Sequence, residues 1–314
     1  MCNIKVPDWN CGKAFATVRV NNWYELKALI EKDFLDWNEY VFRGQKSSNW
    51  PLRSKFDREY RLALKKLDEA EPSKGLSEQN IYLVERNLNL SLDPRNEVLD
   101  RLISTFKKAC TGRRGQLPKT LSDIEWWALG QHFGLATPLL DWTLYPYVSA
   151  YFAFSEADPD ESGCRAIWAY SHDGMMEIFI NSPEYCHKEI KESDTIMVLS
   201  GLTDENSRII SQSGLFTRIP NGEDIEEFIE NNIDLNGMAP ILYKIEIPNT
   251  QREAFLRHLT VMNIHSGSLF PDLVGAAEFA NRSLECESEN LLWKATPAFT
   301  KRMLSNGAYH DNNK

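Results

Sequence analysis

The run from Trp126 to Phe154, WWALGQHFGLATPLLDWTLYPYVSAYFAF, constrains the fold more than any other part of the chain. Ile124, Trp127, Ala128 and Gln131 recur at helical spacing, which predicts a helix over about 122–133 with Gly134 as the residue past its end. After it, Leu139-Leu140-Asp141-Trp142-Thr143 sits where a strand meets a turn. A second helical stripe follows, made of Val148, Tyr151, Phe152 and Phe154. Five polar side chains, Gln131, His132, Thr137, Asp141 and Thr143, crowd into this otherwise apolar stretch. Burying polar groups is costly unless they are paired, so such a cluster points to a hydrogen-bonded network or a site. The plainer account is local: Asp141 or Thr143 caps the second helix, Trp142 belongs to the core, and Gln131-His132 closes the first helix.

The rest of the chain supplies elements of both kinds. NNWYELKALIEKDFL, over about 21–35, has a capping asparagine (Asn21 or Asn22), Glu25 in the first turn, and Trp23, Leu26, Leu29 and Ile30 on one stripe, the pattern of a short amphipathic helix. Glu39 to Gln45 reads as a strand that turns outward at Arg43 and Gly44. Residues 51–112 carry three charge-rich helical segments, broken at Glu71-Pro72-Ser73-Lys74-Gly75 and at Asp93-Pro94. Arg165–Tyr170 and Ile241–Ile247 read as strands, and Ile209–Thr217 as a short strand interrupted by Gly214. Helices are expected from Gln251 to about Met262 and from Leu273 to about Leu284. The sum is one α+β domain with a central antiparallel or mixed sheet and a helical insertion, about 51–120, after the first strand. Residues 1–20 read as an extension, 21–285 as the domain and 286–314 as a polar tail.

Composition narrows the function. With 45 acidic and 35 basic residues among 314, the formal charge is −10, against a surface that wraps a long nucleic acid. The six cysteines (Cys2, Cys11, Cys110, Cys164, Cys186, Cys286) show no paired spacing of the kind that holds zinc, so no metal is expected. No apolar run has signal-peptide form or the length of a membrane span, which reads as a cytoplasmic chain with reduced thiols.

Several clusters carry candidate chemistry. In Phe42-Arg43-Gly44, an arginine at a strand end beside a glycine offers a guanidinium fork next to closely approachable backbone, suited to phosphate or carboxylate. That triplet, the block Gln131–Thr143, Gln212-Ser213-Gly214-Leu215-Phe216-Thr217, and Leu269-Phe270-Pro271-Asp272-Leu273 with Gly275 together resemble the FRG domain family, over about residues 20–285. Pro138 departs from it where many members carry a basic residue. The order of motifs is also similar to the ADP-ribosyltransferase fold. That resemblance implies that Arg43 grips the pyrophosphate side of NAD, Thr143 takes the hydroxyl role at the nicotinamide ribose, and Gln212 stands where a late catalytic acid would be. Val148, Ala150, Tyr151 and Phe152 would lie on the supporting helix. An amide cannot supply the anionic charge that favours a developing cation, so Asp141 would supply it, with His132 as proton carrier. Phe42, Gly44, Thr137, Trp142 and Tyr151 complete the expected binding set.

The expectation is an effector of toxin or phage-defence type in a bacterial setting, with NAD as substrate and a protein or nucleic acid as possible acceptor of ADP-ribose. The competing expectation is a module that binds a nucleotide or a partner without chemistry. The remaining signals read as scaffold. The 52–67 stretch is a solvated helix face, Asp272 caps a helix, and His258 and His265 match no metal spacing. Lys107, Lys108, Arg113, Arg114 and Lys119 form the most basic patch, a possible dock for phosphate-rich partners.

Overall fold

The computed structural model describes residues 6–35, 39–70, 94–114, 120–158, 160, 162–181, 195–200, 207–233 and 238–294. The middle segment of the expected helical insertion, Lys119 of the basic patch, Cys2, Cys186 and the residues from 295 on lie outside them.

The chain opens with strands β1 (Asn10–Cys11) and β2 (Ala16–Arg19), helix α1 (Trp23–Asp33) and strand β3 (Tyr40–Gln45). The insertion supplies α2 (Lys55–Ala70) and α3 (Pro94–Ala109). Next come α4 (Asp123–His132), β4 (Leu139–Thr143), α5 (Pro146–Phe154), β5 (Cys164–Ser171) and α6 (His172–Asn181). The last part holds β6 (Met197–Leu199), α7 (Ser207–Gln212), β7 (Gly214–Arg218) and α8 (Ile225–Asn232). It closes with β8 (Leu242–Pro248), α9 (Arg252–Val261), α10 (Ser266–Leu269) and α11 (Leu273–Lys294). The described strands form one sheet of eight in the order β1-β2-β8-β5-β3-β4-β7-β6. β2 and β8 run parallel and every other neighbouring pair is antiparallel.

Local sequence explains much of this. Asn22 caps α1 by accepting from the Glu25 amide at 3.1 Å, and Glu25 accepts from the Asn21 amide at 2.8 Å. Trp23, Leu26, Leu29 and Ile30 are the buried stripe, as the spacing predicts. Ser122 makes a full capping box with Glu125 at the start of α4, and Gly134 adopts φ 89° past its end. β5 is apolar without alternation because it is a central strand covered on both faces. α1, α5 and α9 cover one face; α6 and α8 cover the other. A smaller core joins α2, α3 and α4 to β4, α7 and β7.

Four expectations change. β2 pairs with β8 and buries Ala16 and Val18, so the extension 1–20 contributes to the sheet. Ile209 and Gln212 belong to helix α7, and Gly214 begins β7 where it was expected to interrupt a strand. The last described helix runs on to Lys294, well beyond Leu284. The 52–67 face is not simply solvated. Arg53 pairs with Asp224, and Arg61 donates to the Gly222 carbonyl at 3.1 Å and to Glu227 at 3.3 Å. Asp57, itself buried, takes Arg95 of α3 at 2.6 and 3.1 Å and the Ser54 hydroxyl at 2.6 Å. Charged residues at helical spacing thus tie the insertion to the domain, which no periodicity could distinguish from a solvent face.

Candidate functional site

Arg43 lies in the middle of a sheet whose neighbouring strands are β4 and β5, so its side chain rises from the floor of a cleft of about 580 Å³. The walls come from α2, α4, α5, α7 and the Phe270 corner. Arg43, His132, Asp141, Thr143 and Gln212, drawn from four separate stretches of sequence, all line this one cavity, together with Phe42, Gly44 and Trp142.

Arg43 donates from one terminal nitrogen to the Asp141 carbonyl at 2.7 Å, and the Asp141 carboxylate lies 4.0 Å away. Its Nε is buried with no hydrogen-bond partner. Burial lowers the guanidinium's pKa, Asp141 opposes that, and Arg58 adds to it. The Asp141 side chain is 67% exposed to the cleft while protein encloses it on its other sides. That enclosure raises its carboxyl pKa, and Arg43 and the Gln131 amide pull it back. Gln131 donates to Asp141 at 2.5 Å and accepts from the Thr137 hydroxyl, so Thr137 acts from behind: it is buried and does not reach the cavity. The polar cluster is therefore a hydrogen-bonded network, part of which lines the cleft.

Four expected roles shift. The Thr143 hydroxyl donates to the Gln212 carbonyl at 2.7 Å and accepts from the Tyr145 amide at 3.2 Å, so it holds β4 to the α7–β7 corner. The Gln212 side chain donates to the Leu269 carbonyl at 3.1 Å from the last turn of α7, one residue before Ser213 at φ 47°. Tyr151 lines a separate, more apolar cavity of about 820 Å³, which shares Phe152, Ser155, Glu156 and Phe270 with the cleft. Gly44 also has a different reason from ligand approach. A Cβ there would meet the Ser149 carbonyl oxygen at 1.9 Å and the Ala153 nitrogen at 2.5 Å, so the glycine lets α5 lie directly on β3.

Several lining residues escaped sequence reading. Arg58 is an exposed residue of α2 hidden among alternating charges, and Arg208 and Trp50 belong to no motif. Arg208 is held by Asp272 at 2.7 and 2.6 Å and lies over the Phe270 ring. Asp272 also caps α11 by accepting from the Val274 and Gly275 amides, as expected. Lys46 sits 3.7 Å from Glu156 at the cleft wall. Sequence offered no signal for Arg208, since Asp272, which caps a helix with one oxygen and takes the cation with the other, comes near it only in the folded chain.

His132 is half-buried; burial and Arg208 lower its pKa while Asp272 raises it, which leaves a neutral imidazole at pH 7. Arg114 and Lys107 pack over the Trp126 ring, and Lys107 also pairs with Asp123 at 2.8 Å, which takes part of the basic patch out of play. His258 stacks on Trp23 at 4.8 Å, a packing role. Among the described residues no group of three His, Cys, Asp or Glu could hold a metal ion, and no helix is long and apolar enough to cross a membrane.

No curated protein and no solved structure matches the chain. Residues 38–162 match the family model described as the FRG domain, a stretch that holds Phe42-Arg43-Gly44 and brings Arg58, Gln131, His132, Asp141 and Thr143 to the cleft: over it, this chain is similar to FRG domains.

Proposed function

We propose that the cleft binds an anionic nucleotide, NAD in the first instance, and cleaves its nicotinamide–ribose bond, passing ADP-ribose to water or to a macromolecular acceptor. The observation that carries binding is Arg43: a buried guanidinium whose Nε has no acceptor inside the protein, facing a cavity large enough for a dinucleotide. The resemblance in motif order to ADP-ribosyltransferases supports the choice of NAD. Asp141 supports the chemistry. It is the carboxylate on the cleft floor, and a fixed anion there stabilises the cation that develops on the ribose as neutral nicotinamide leaves. His132 lines the same cleft with its pKa lowered by burial, which supports a role in taking the proton of the attacking water or acceptor hydroxyl. An NAD-consuming activity suits a toxin or defence effector.

The second reading, a nucleotide held without turnover, is favoured by Thr143 and Gln212, whose hydroxyl and amide donors are already engaged within the fold. Nicotinamide release from NAD, with and without protein or nucleic acid from a lysate, separates the two. Asp141→Asn keeps the acceptor for Gln131 and is expected to retain NAD binding while release falls on the order of 10²-fold. Because the Asp141 carboxyl is raised above the ordinary 3.8, release is expected to fall on acidification sooner than for a free aspartate. NAD bound by calorimetry without release leaves the binding module; neither binding nor release removes both.

A further inference from the structure

The cations that line the cleft are not equally satisfied. Arg208 is neutralised by Asp272, and Lys46 faces Glu156 at 3.7 Å. Arg43 shares Asp141 with Gln131. Arg58 donates to the Arg53 carbonyl at 2.8 Å, and among the described residues no carboxylate pairs with it. The positive surplus therefore gathers at two guanidiniums, one on the floor strand and one on the first turn of α2.

We propose that Arg58 is a second anion-binding residue, which together with Arg43 clamps a diphosphate rather than a single phosphate or carboxylate. Two like charges sharing one cleft repel, and the fold keeps them there with Asp141 beside Arg43 and no carboxylate paired to Arg58 among the described residues. A bridging dianion removes that repulsion, and each guanidinium can fork onto one phosphate. Arg58 is also held in place. The Arg53 carbonyl fixes one of its nitrogens, and Arg53 is itself locked by its two-pronged pair with the buried Asp224. A cation on a solvated helix face has no need of such support, whereas one that meets a ligand gains from being oriented beforehand. Trp50, 53% exposed at the same cleft, adds a ring on which a base can stack. This inference rests on the nucleotide reading and names its recognised group, the diphosphate link.

Calorimetry on the full chain with inorganic pyrophosphate and with orthophosphate tests it. Pyrophosphate is expected to bind at least about tenfold more tightly than orthophosphate. Arg58→Gln is expected to bring pyrophosphate down to the orthophosphate level with an unchanged urea midpoint, and Arg58→Lys to restore part of the preference. Equal affinity for the two anions, no binding of pyrophosphate, or an Arg58→Gln protein that keeps the preference overturns the clamp. NAD bound or cleaved without any pyrophosphate preference sinks the clamp alone. Pyrophosphate held through Arg58 with no affinity for NAD or ADP-ribose keeps the clamp and removes the NAD reading.

Discussion

Arg95 in the helical insertion and Arg43 on the cleft floor are the same residue type at similar depth, with side chains 11% and 19% exposed. Arg95 is satisfied inside the fold: Asp57 takes it through two bonds, and the Phe56 ring lies 5.6 Å below it. Arg43 has one carbonyl, a carboxylate at 4.0 Å and an Nε with no partner. The first arginine holds two helices together; the second leaves a donor unmet at the cleft. An orphaned nitrogen is not enough by itself. Arg165 also has an unpaired Nε, yet it packs under Phe154 and donates to the Ala153 carbonyl in the core, away from the cleft. What marks Arg43 is the unmet donor and the cavity together.

This contrast predicts opposite phenotypes. The largest effect on stability belongs to Arg95→Met, which leaves Asp57 charged and unpaired in a buried joint and should cost about 3–5 kcal/mol in urea unfolding. A loss well under 1 kcal/mol would put Arg95 in the same class as Arg43. Gly44→Ala comes next, at roughly 3 kcal/mol, because the new Cβ meets backbone atoms of α5 that cannot swing aside. An unmoved unfolding midpoint would show that α5 does not rest on β3. Arg43→Gln should shift stability by less than about 1 kcal/mol, since Asp141 is open to cleft water, while nucleotide affinity falls on the order of 10²-fold. Destabilisation as large as that of Arg95→Met, with affinity intact, would reverse the assignment of the two regions.

The last effect is a pH dependence at the edge of the insertion, confined to one pH window. Glu226 accepts from the Leu52 amide, and burial raises its carboxyl from 4.5 to about 7. The folded chain therefore holds this proton where the unfolded chain has lost it, so stability falls as pH rises from 4.5 to 7. Glu226→Gln keeps the acceptor without the titration. It should gain up to about 3 kcal/mol over the parent protein above pH 7, a gain that vanishes by pH 4. A pH-independent difference would mean that Glu226 titrates normally.

Some of this could be read from residue order. α1, α4 and the capping role of Asp272 follow from side chains within four positions of one another, where local geometry decides. Candidate site residues His132, Asp141 and Thr143 stood out because polar residues in apolar surroundings are costly, Arg43 as a guanidinium fork beside a glycine, and Gln212 only through the resemblance in motif order. Their actual roles did not. Thr143 and Gln212 read as ligands and turn out to donate to carbonyls of the fold, Thr143 to that of Gln212 and Gln212 to that of Leu269, because hydroxyl and amide donors satisfy a backbone as readily as a substrate. Arg58 read as a solvent charge, because whether a helical cation faces water or a cleft depends on where the helix is laid down.

The sequence by itself determined the alternation of helices and strands, the motif set and the chemical types available, since these depend on propensity, periodicity and capping over short spans. It also pointed to Phe42-Arg43-Gly44, the 131–143 block and Gln212 as candidate site segments, while Trp50 and Arg58 of the cleft escaped it. Only the tertiary structure decided that residues 16–19 complete the sheet, that Gly44 exists to admit α5, and that Arg95 is neutralised while Arg43 is not. Those outcomes rest on partners far away in sequence, such as Asp57 for Arg95 and Ser149 for Gly44. Whether a buried charge finds its counter-ion is fixed only when the elements that carry the two are packed together.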